Sequence, residues 1–228
     1  MKSDALKKIK DKIQPPPPPP PPPPPEVTIA EATEAMRQLL EKNVKDEKMT
    51  KERYEHSVRV AKECKRLAKL YHVNEDIAEF AGMVHDICKD MKPEEQEKLM
   101  KAAEGFEITD EEWASKKLWH GIAGAQILKQ QYCVGNQNIL NAVRYHTVAR
   151  KGMTPLEKIV YLADMTEEGR TFIDVHVLRA AVNRDLDLGM YYALRISIEK
   201  VMQKGSLLPK HTIEAYNQYV AIVAAMKA

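Results

Sequence analysis

AEFAGMVHDICKD, residues 78–90, decides how the rest of this chain is read. Ile77, Phe80, Ala81, Val84 and Cys88 recur at spacings of three and four, as on a helix with one buried face. A helix is therefore expected over Asn74 to Cys88. His85 and Asp86, an imidazole and a carboxylate in succession, sit on that run. Neighbours on a helix point about 100° apart, so both reach one metal ion only if the ion lies against the helix. Further ligands must then arrive from other segments.

Outward from this stretch the pattern is helical nearly throughout from Thr28. Ala35, Leu39 and Val44 make one apolar stripe, and Val60, Cys64, Leu67 and Tyr71 another. Later helices are expected over Pro93 to Glu104, Asp110 to Trp119, Gly121 to Tyr132 and Asn136 to His146. Four more follow, over Thr154 to Met165, Val175 to Asn183, Leu188 to Lys204 and His211 to Met226. Pro93 and Pro155 suit first-turn positions, Gly205 suits a C-terminal stop, and Thr50 reads as a weak N-cap. The small residues of GIAGAQ, 121–126, fit close helix packing better than a phosphate loop. The fold class is all-α, a bundle of nine or ten helices.

The chain has 228 residues, enough for one well-filled domain. Residues 1–27 read as a disordered N-terminal tail and residues 28–228 as the domain. Pro15 to Pro25 is an unbroken proline run, extended as polyproline II over about 34 Å at about 3.1 Å per residue. It is a spacer, a dispensable tail or a ligand for a proline-reading module. A net charge of +2 argues against a nucleic-acid partner, because such binding neutralises many phosphates at once. Three cysteines without C-x-x-C spacing indicate neither a disulfide framework nor structural zinc. No signal peptide or membrane span is read, so a soluble cytoplasmic protein is expected.

The candidate partners of His85 and Asp86 are His56, His120, His146 and Asp164. His56 shares a face with Val60, Cys64 and Leu67. His146 continues the stripe of Ile139 and Val143, Asp164 follows Leu156 and Val160, and His120 lies in KKLWHGIAGAQ. A single histidine on an apolar stripe is most simply a core residue bonded to a carbonyl. Here all the members coincide with inward faces, and polar groups there must be satisfied. Four imidazoles and two carboxylates are too many for one tetrahedral ion but suit two ions about 3.5 to 4 Å apart sharing a carboxylate. Asp86 is the natural bridge. Nitrogen and oxygen donors without thiolate suit iron, manganese or another divalent transition metal.

These residues, in the order H…HD…H…H…D, resemble the HD-domain metal-dependent phosphohydrolases. RYEHSVRVA, AGMVHDICKD, WHGIAGA, RYHTVARKGMTPLEKIVYLADMTEEGR and KGSLLPKHTIEAYN look more narrowly like the YqeK family of symmetrical diadenosine-tetraphosphate hydrolases. The resemblance covers roughly residues 33 to 220. It implies an HD-fold bundle with a di-iron centre that cleaves diadenosine tetraphosphate into two ADP by attack of a metal-bridging hydroxide. It places His56, His85, Asp86 and Asp164 on one ion, and Asp86, His120 and His146 on the other. Relatives commonly show HTTG where this chain has His146-Thr147-Val148-Ala149, and EPGR or EPNR where it has Glu167-Glu168-Gly169-Arg170.

Cations that read phosphate are expected near these ligands. By adjacency the candidates are Arg53, Lys89, Arg144, Arg150, Lys151 and Arg170, with Asp86 and Lys89 the catalytic pair. Tyr145, Tyr161, Trp119 and Phe172 are candidates for stacking on a base. Two alternatives stay open, a hydrolase of another nucleotide (a monophosphate, triphosphate or guanosine polyphosphate) and a non-catalytic helical adaptor. Ile222 and Val223 pack either on the domain or on a second copy, in a homodimer.

Overall fold

Helix starts are written in short polar signals that the backbone uses as the sequence suggests. In this computed structural model, which describes residues 27–226, Thr28 and Glu31 form a capping box that opens α1 (Ile29–Lys45). The proline run and the rest of the expected tail before Val27 lie outside the described residues. The Thr50 hydroxyl accepts from the Arg53 N–H and opens α2 (Lys51–Leu70), and Asn74 does the same for α3 (Glu75–Val84). Pro93 begins α4 (Pro93–Lys101), and Thr109 with Glu112 boxes α5 (Asp110–Ala114). A 3-10 turn, Lys116–Leu118, leads into α6 (Trp119–Gln131), and α7 is Gln137–Tyr145. Then come α8 (Pro155–Thr166), α9 (Val175–Arg184), α10 (Leu186–Gln203) and α11 (Lys210–Ala225). Eleven α-helices thus appear among the described residues, where nine or ten are expected, and no strand.

The largest local departure falls on the opening stretch. Helix α3 stops at Val84 instead of running to Cys88, and the chain continues in turns, with Ile87 N–H donating to Val84 O and Lys89 N–H to Asp86 O. In a continuing helix Asp86 N–H would bond the Gly82 carbonyl. The His85 ring takes that carbonyl instead, Nδ1 to O at 2.7 Å. Apolar spacing hides the break because Val84 and Cys88 are buried on either side of it. Helix α7 ends the same way, with His146 Nδ1 on Val143 O at 2.7 Å. The expected Asp110 to Trp119 helix is also divided, and Trp119 opens α6 with its indole N–H on Glu112 O at 3.0 Å.

Helix α3 is the centre of the packing and touches α1, α2, α7 and α8. Two glycines set how closely its neighbours come. A Cβ on Gly82 would meet Cys64 Sγ at 2.8 Å and Ala61 Cα at 2.9 Å, so α2 and α3 meet nearly backbone to backbone. A Cβ on Gly121 would lie 3.0 Å from Arg144 O, which brings the first turn of α6 onto the end of α7. Close packing is the role expected of GIAGAQ. Val223 is buried against the domain's own core, with Ile222 partly covered beside it. No helix among the described residues is long and apolar enough to cross a membrane.

One ion pair lies wholly inside. Arg144 Nη1 stands 2.7 Å from Glu112 Oε1, and Nη2 donates to Oε2 at 3.0 Å, both residues being fully buried. Arg144 therefore pins α5 to α7 and drops out of the phosphate-reading candidates. Replacing it by alanine strands the Glu112 carboxylate and is expected to cost about 3–5 kcal/mol of stability in a urea titration. Gly82→Ala is expected to cost about 1–3 kcal/mol by pushing α2 off α3. An unchanged urea midpoint in that variant would rule out the close approach.

Candidate metal centre

Each candidate ligand reaches the interior by a different local device. His56 lies on the buried face of α2, one turn in from its capped start. His85 and His146 are the C-cap residues of α3 and α7. His120 is the second residue of α6, and Asp164 sits in the last turn of α8. The elements converge so that His56, His85 and Asp164 offer atoms all within 4.8 Å of one another, as do His85, Asp86 and His146. His85 belongs to both groups. His120 Nε2 joins the second at 3.2 Å from both Asp86 Oδ1 and His146 Nε2. All six residues singled out in the sequence as metal ligands are brought together.

Hydrogen bonding fixes which ring atoms face inward. A backbone carbonyl only accepts, so the Nδ1 of His85 and of His146 must carry the proton, leaving each Nε2 as a bare lone pair. His56 presents Nδ1 to the Glu167 carboxylate at 3.2 Å, which leaves Nε2 as an acceptor, with Arg170 Nη2 3.4 Å away. That His56 Nε2 lies 2.9 Å from Asp164 Oδ1, His146 Nε2 lies 3.3 Å from Asp86 Oδ1, and His85 Nε2 lies 3.5 Å from Asp86 Oδ2. Acceptors facing acceptors repel unless something positive lies among them. His85 Nε2 and Asp86 Oδ1 are both buried without any hydrogen-bond partner. Orphaned buried polar atoms demand an explanation, and a divalent cation fits this donor set of imidazole and carboxylate.

The electrostatics agree with that fit. Burial pushes His85 and His120 down to about 4, which keeps both rings neutral and able to ligate at pH 7. Burial alone would raise the two aspartates. The imidazoles of His85, His120 and His146 outweigh it at Asp86, and His56, His85 and Arg170 outweigh it at Asp164, so both are held well below the usual carboxylate range. Arg53 Nη1 donates to Asp86 Oδ2 at 2.6 Å, and Arg170 donates to Asp164 Oδ1.

Lys89, one turn past His85, brings its ammonium to 3.1 Å from His120 Nε2, and burial lowers its pKa. Arg53, Lys89 and Arg170 are thus gathered round the cluster. Arg150 is not: its guanidinium forms a two-pronged pair with the buried Glu157, at 2.6 and 3.0 Å, and lies over the Tyr145 ring. It holds the start of α8 to the end of α7, so adjacency to His146 misleads as to its role. Trp119, Tyr145 and Tyr161 are core residues, and Phe172 is the half-buried one of the four candidate aromatics.

Glu167 was not among the sequence candidates. It is 2 % exposed and accepts from Arg59 Nε at 2.7 Å and from its own loop through Gly169 N–H at 2.6 Å, while orienting His56. Helical spacing gives no sign of it, since Glu167 lies just past the end of α8 as its C-cap residue.

Comparison with known proteins follows this geometry closely. Residues 53–169 match the family model described as HD domain, a span that includes all six clustered residues. The chain is 31 % identical over 181 residues to the symmetrical bis(5'-nucleosyl)-tetraphosphatase of Staphylococcus aureus, covering 78 % of this chain and 92 % of the relative. It is 32 % identical over 177 residues to the protein of that name from Bacillus subtilis, covering 77 % and 93 %. A crystal structure from Clostridium acetobutylicum, titled a predicted HD superfamily hydrolase involved in NAD metabolism, superposes with a TM-score of 0.76 at 34 % identity. That match covers 82 % of this chain and 96 % of the other.

Glu167 acts on a bound ion only through His56, and such supporting contacts typically carry 10- to 100-fold in metal affinity. Glu167→Ala is expected to weaken Mn2+ binding by about that factor. Glu167→Gln, which still offers His56 an acceptor oxygen, should recover most of the loss. Equal affinities in all three proteins would remove Glu167 from the site.

Proposed function

The chain belongs to the HD-domain family and, within it, to the YqeK family of symmetrical bis(5'-nucleosyl)-tetraphosphatases, and from that premise we propose that it hydrolyses diadenosine tetraphosphate to two ADP. The observation that carries the reading is the convergence of ring nitrogens of His56, His85 and His146 on Asp86 and Asp164, with the buried His85 Nε2 and Asp86 Oδ1 left without any hydrogen-bond partner. His56, His85, Asp86 and Asp164 would hold one divalent ion, and Asp86, His120 and His146 the other. Asp86 supports the bridging role because its Oδ1 faces His120 and His146 while its Oδ2 faces His85. Iron is the metal we expect, with manganese the next fit to nitrogen and oxygen donors without thiolate. When bound, two such ions supply Lewis acidity and an activated water near neutral pH.

The protein's own groups do the rest. Water adds across the middle of the phosphate bridge: its oxygen bonds to one inner phosphorus, and the bridging oxygen leaves with its electron pair on the other ADP. Lys89, half-buried at the rim beside His120, is placed to meet charge on the phosphoryl oxygens, where a fixed cation in a partly dry site is most effective. Arg53 and Arg170 flank the two carboxylates from opposite ends and are placed to turn toward phosphate. Arg150 is left out of this set. Cys64, Cys88 and Cys133 are unpaired thiols, which suits action in the reducing cytoplasm.

Metal-replete protein is expected to turn diadenosine tetraphosphate into ADP alone, read by separating the products. ATP plus AMP, or turnover of a mononucleotide only, would overturn the reading. Asp86→Ala should lose bound transition metal by elemental analysis and all activity, with helical circular dichroism retained. Lys89→Ala should keep its metal and lose about 100-fold in kcat.

A further inference from the structure

Two cavities beside the cluster share a lining residue and a charge sign. The first, of about 410 Å3, is lined by Lys89, Gln96, Lys116, Lys117 and His120. It opens directly on the clustered residue His120. The second, of about 160 Å3, lies between the 3-10 turn ahead of α6 and the connection from α10 to α11. Lys117 lines it as well, together with Lys200, Lys204 and Thr147, the residue after His146. Neither cavity has an Asp or Glu in its lining. Cavities elsewhere mix signs, as at Asp174, Arg195 and Glu199, or at Lys151 and Glu214.

The lysines also stand outside the protein's ion pairs. Among the described residues Lys89, Lys116, Lys117, Lys200 and Lys204 form no ion pair, whereas Lys62, Lys65, Lys101, Lys158 and Lys210 each have a carboxylate within 4.0 Å. Like charges on one lining repel one another, and an anion among them relieves that repulsion. The Thr147 hydroxyl is buried, without a hydrogen-bond partner, on the wall of the second cavity. A donor of that kind, in a cavity that Lys117, Lys200 and Lys204 also line, suits a phosphate oxygen.

We propose that this lysine-lined cleft, running from Lys89 through Lys117 to Lys200 and Lys204, seats the diphosphate of the departing ADP half while the other half lies on the cluster. The inference rests on the function proposed above. Size selects phosphate over base: about 160 Å3 is below the roughly 300–1,000 Å3 of a pocket that encloses a whole ligand. The cleft lets the site count phosphates, since a mononucleotide on the cluster leaves Lys200 and Lys204 without a partner and a tetraphosphate reaches them. Phe172, which lies 4.5 Å beneath the Lys200 ammonium, stands at the end of this run.

The test replaces Lys200 and Lys204 together, as K200E/K204E and as the milder K200Q/K204Q. Steady-state hydrolysis of diadenosine tetraphosphate is expected to show KM raised at least about tenfold with kcat lowered less than about threefold, a shift of about 1.4 kcal/mol or more in binding. Calorimetric titration with inorganic tripolyphosphate should show a parallel loss of affinity, larger for the glutamates than for the glutamines. Lys69→Glu, the same charge change at the far end of α2, should move neither. Wild-type KM in both double variants, or wild-type tripolyphosphate affinity, would overturn the cleft. If wild-type protein turns over no diadenosine tetraphosphate, the proposed function fails by itself, and the tripolyphosphate titration still decides whether the cleft binds a phosphate chain.

Discussion

Two hydrogen bonds of one kind hold the organisation of this molecule together, His85 Nδ1 on Gly82 O and His146 Nδ1 on Val143 O. Each caps a helix end, where the last carbonyls lack partners inside the helix. Each also commits the ring proton outward and turns an Nε2 lone pair inward. Helix termination and ligand tautomer are thus set by the same contact. The chain is released into turns just where the carboxylate of Asp86 must swing toward rings supplied by α6 and α7.

That convergence depends on how near the helices come, and near approach depends on missing side chains. Gly82 lets α2 lie against α3, which puts His56 and His85 rings 5.3 Å apart between centres. Gly121 lets α6 settle on the carbonyls at the end of α7, which puts His120 and His146 rings 5.1 Å apart. A methyl group at either place would open the spacing by a sizeable part of a ligand-to-ligand distance. The same crowding keeps water away from the rings, and this is what holds His85 and His120 neutral.

Charge is distributed unevenly around this centre. The carboxylates of Asp86, Asp164 and Glu167 are met by guanidinium groups of Arg53, Arg170 and Arg59, so the cluster is compensated on its own side. Beyond His120 the charged side chains that line the two cavities are all lysines. A long polyphosphate laid across the site would find a compensated cluster under one half and unpaired ammonium groups under the other. The buried Arg144 and Glu112 pair keeps α5 fixed to α7.

The sequence by itself determined the all-α class, most helix starts and the identities of the six clustered residues, because periodic burial and capping side chains are local properties of neighbours in the chain. His56, His85, Asp86, His120, His146 and Asp164 each fall on an apolar stripe that can be read without knowing what it packs against. Only the tertiary structure decided the end of α3, since a side-chain bond to Gly82 O competes with the helix there and apolar spacing continues straight through it. The same holds for the basic residues. Arg53, Arg144 and Arg150 look alike beside their ligands in the chain, yet one faces Asp86, one is sealed against Glu112 and one grips Glu157. The run from Lys117 to Lys200 and Lys204 spans more than eighty positions and exists only because α10 returns alongside α8, and folds its end over the start of α6.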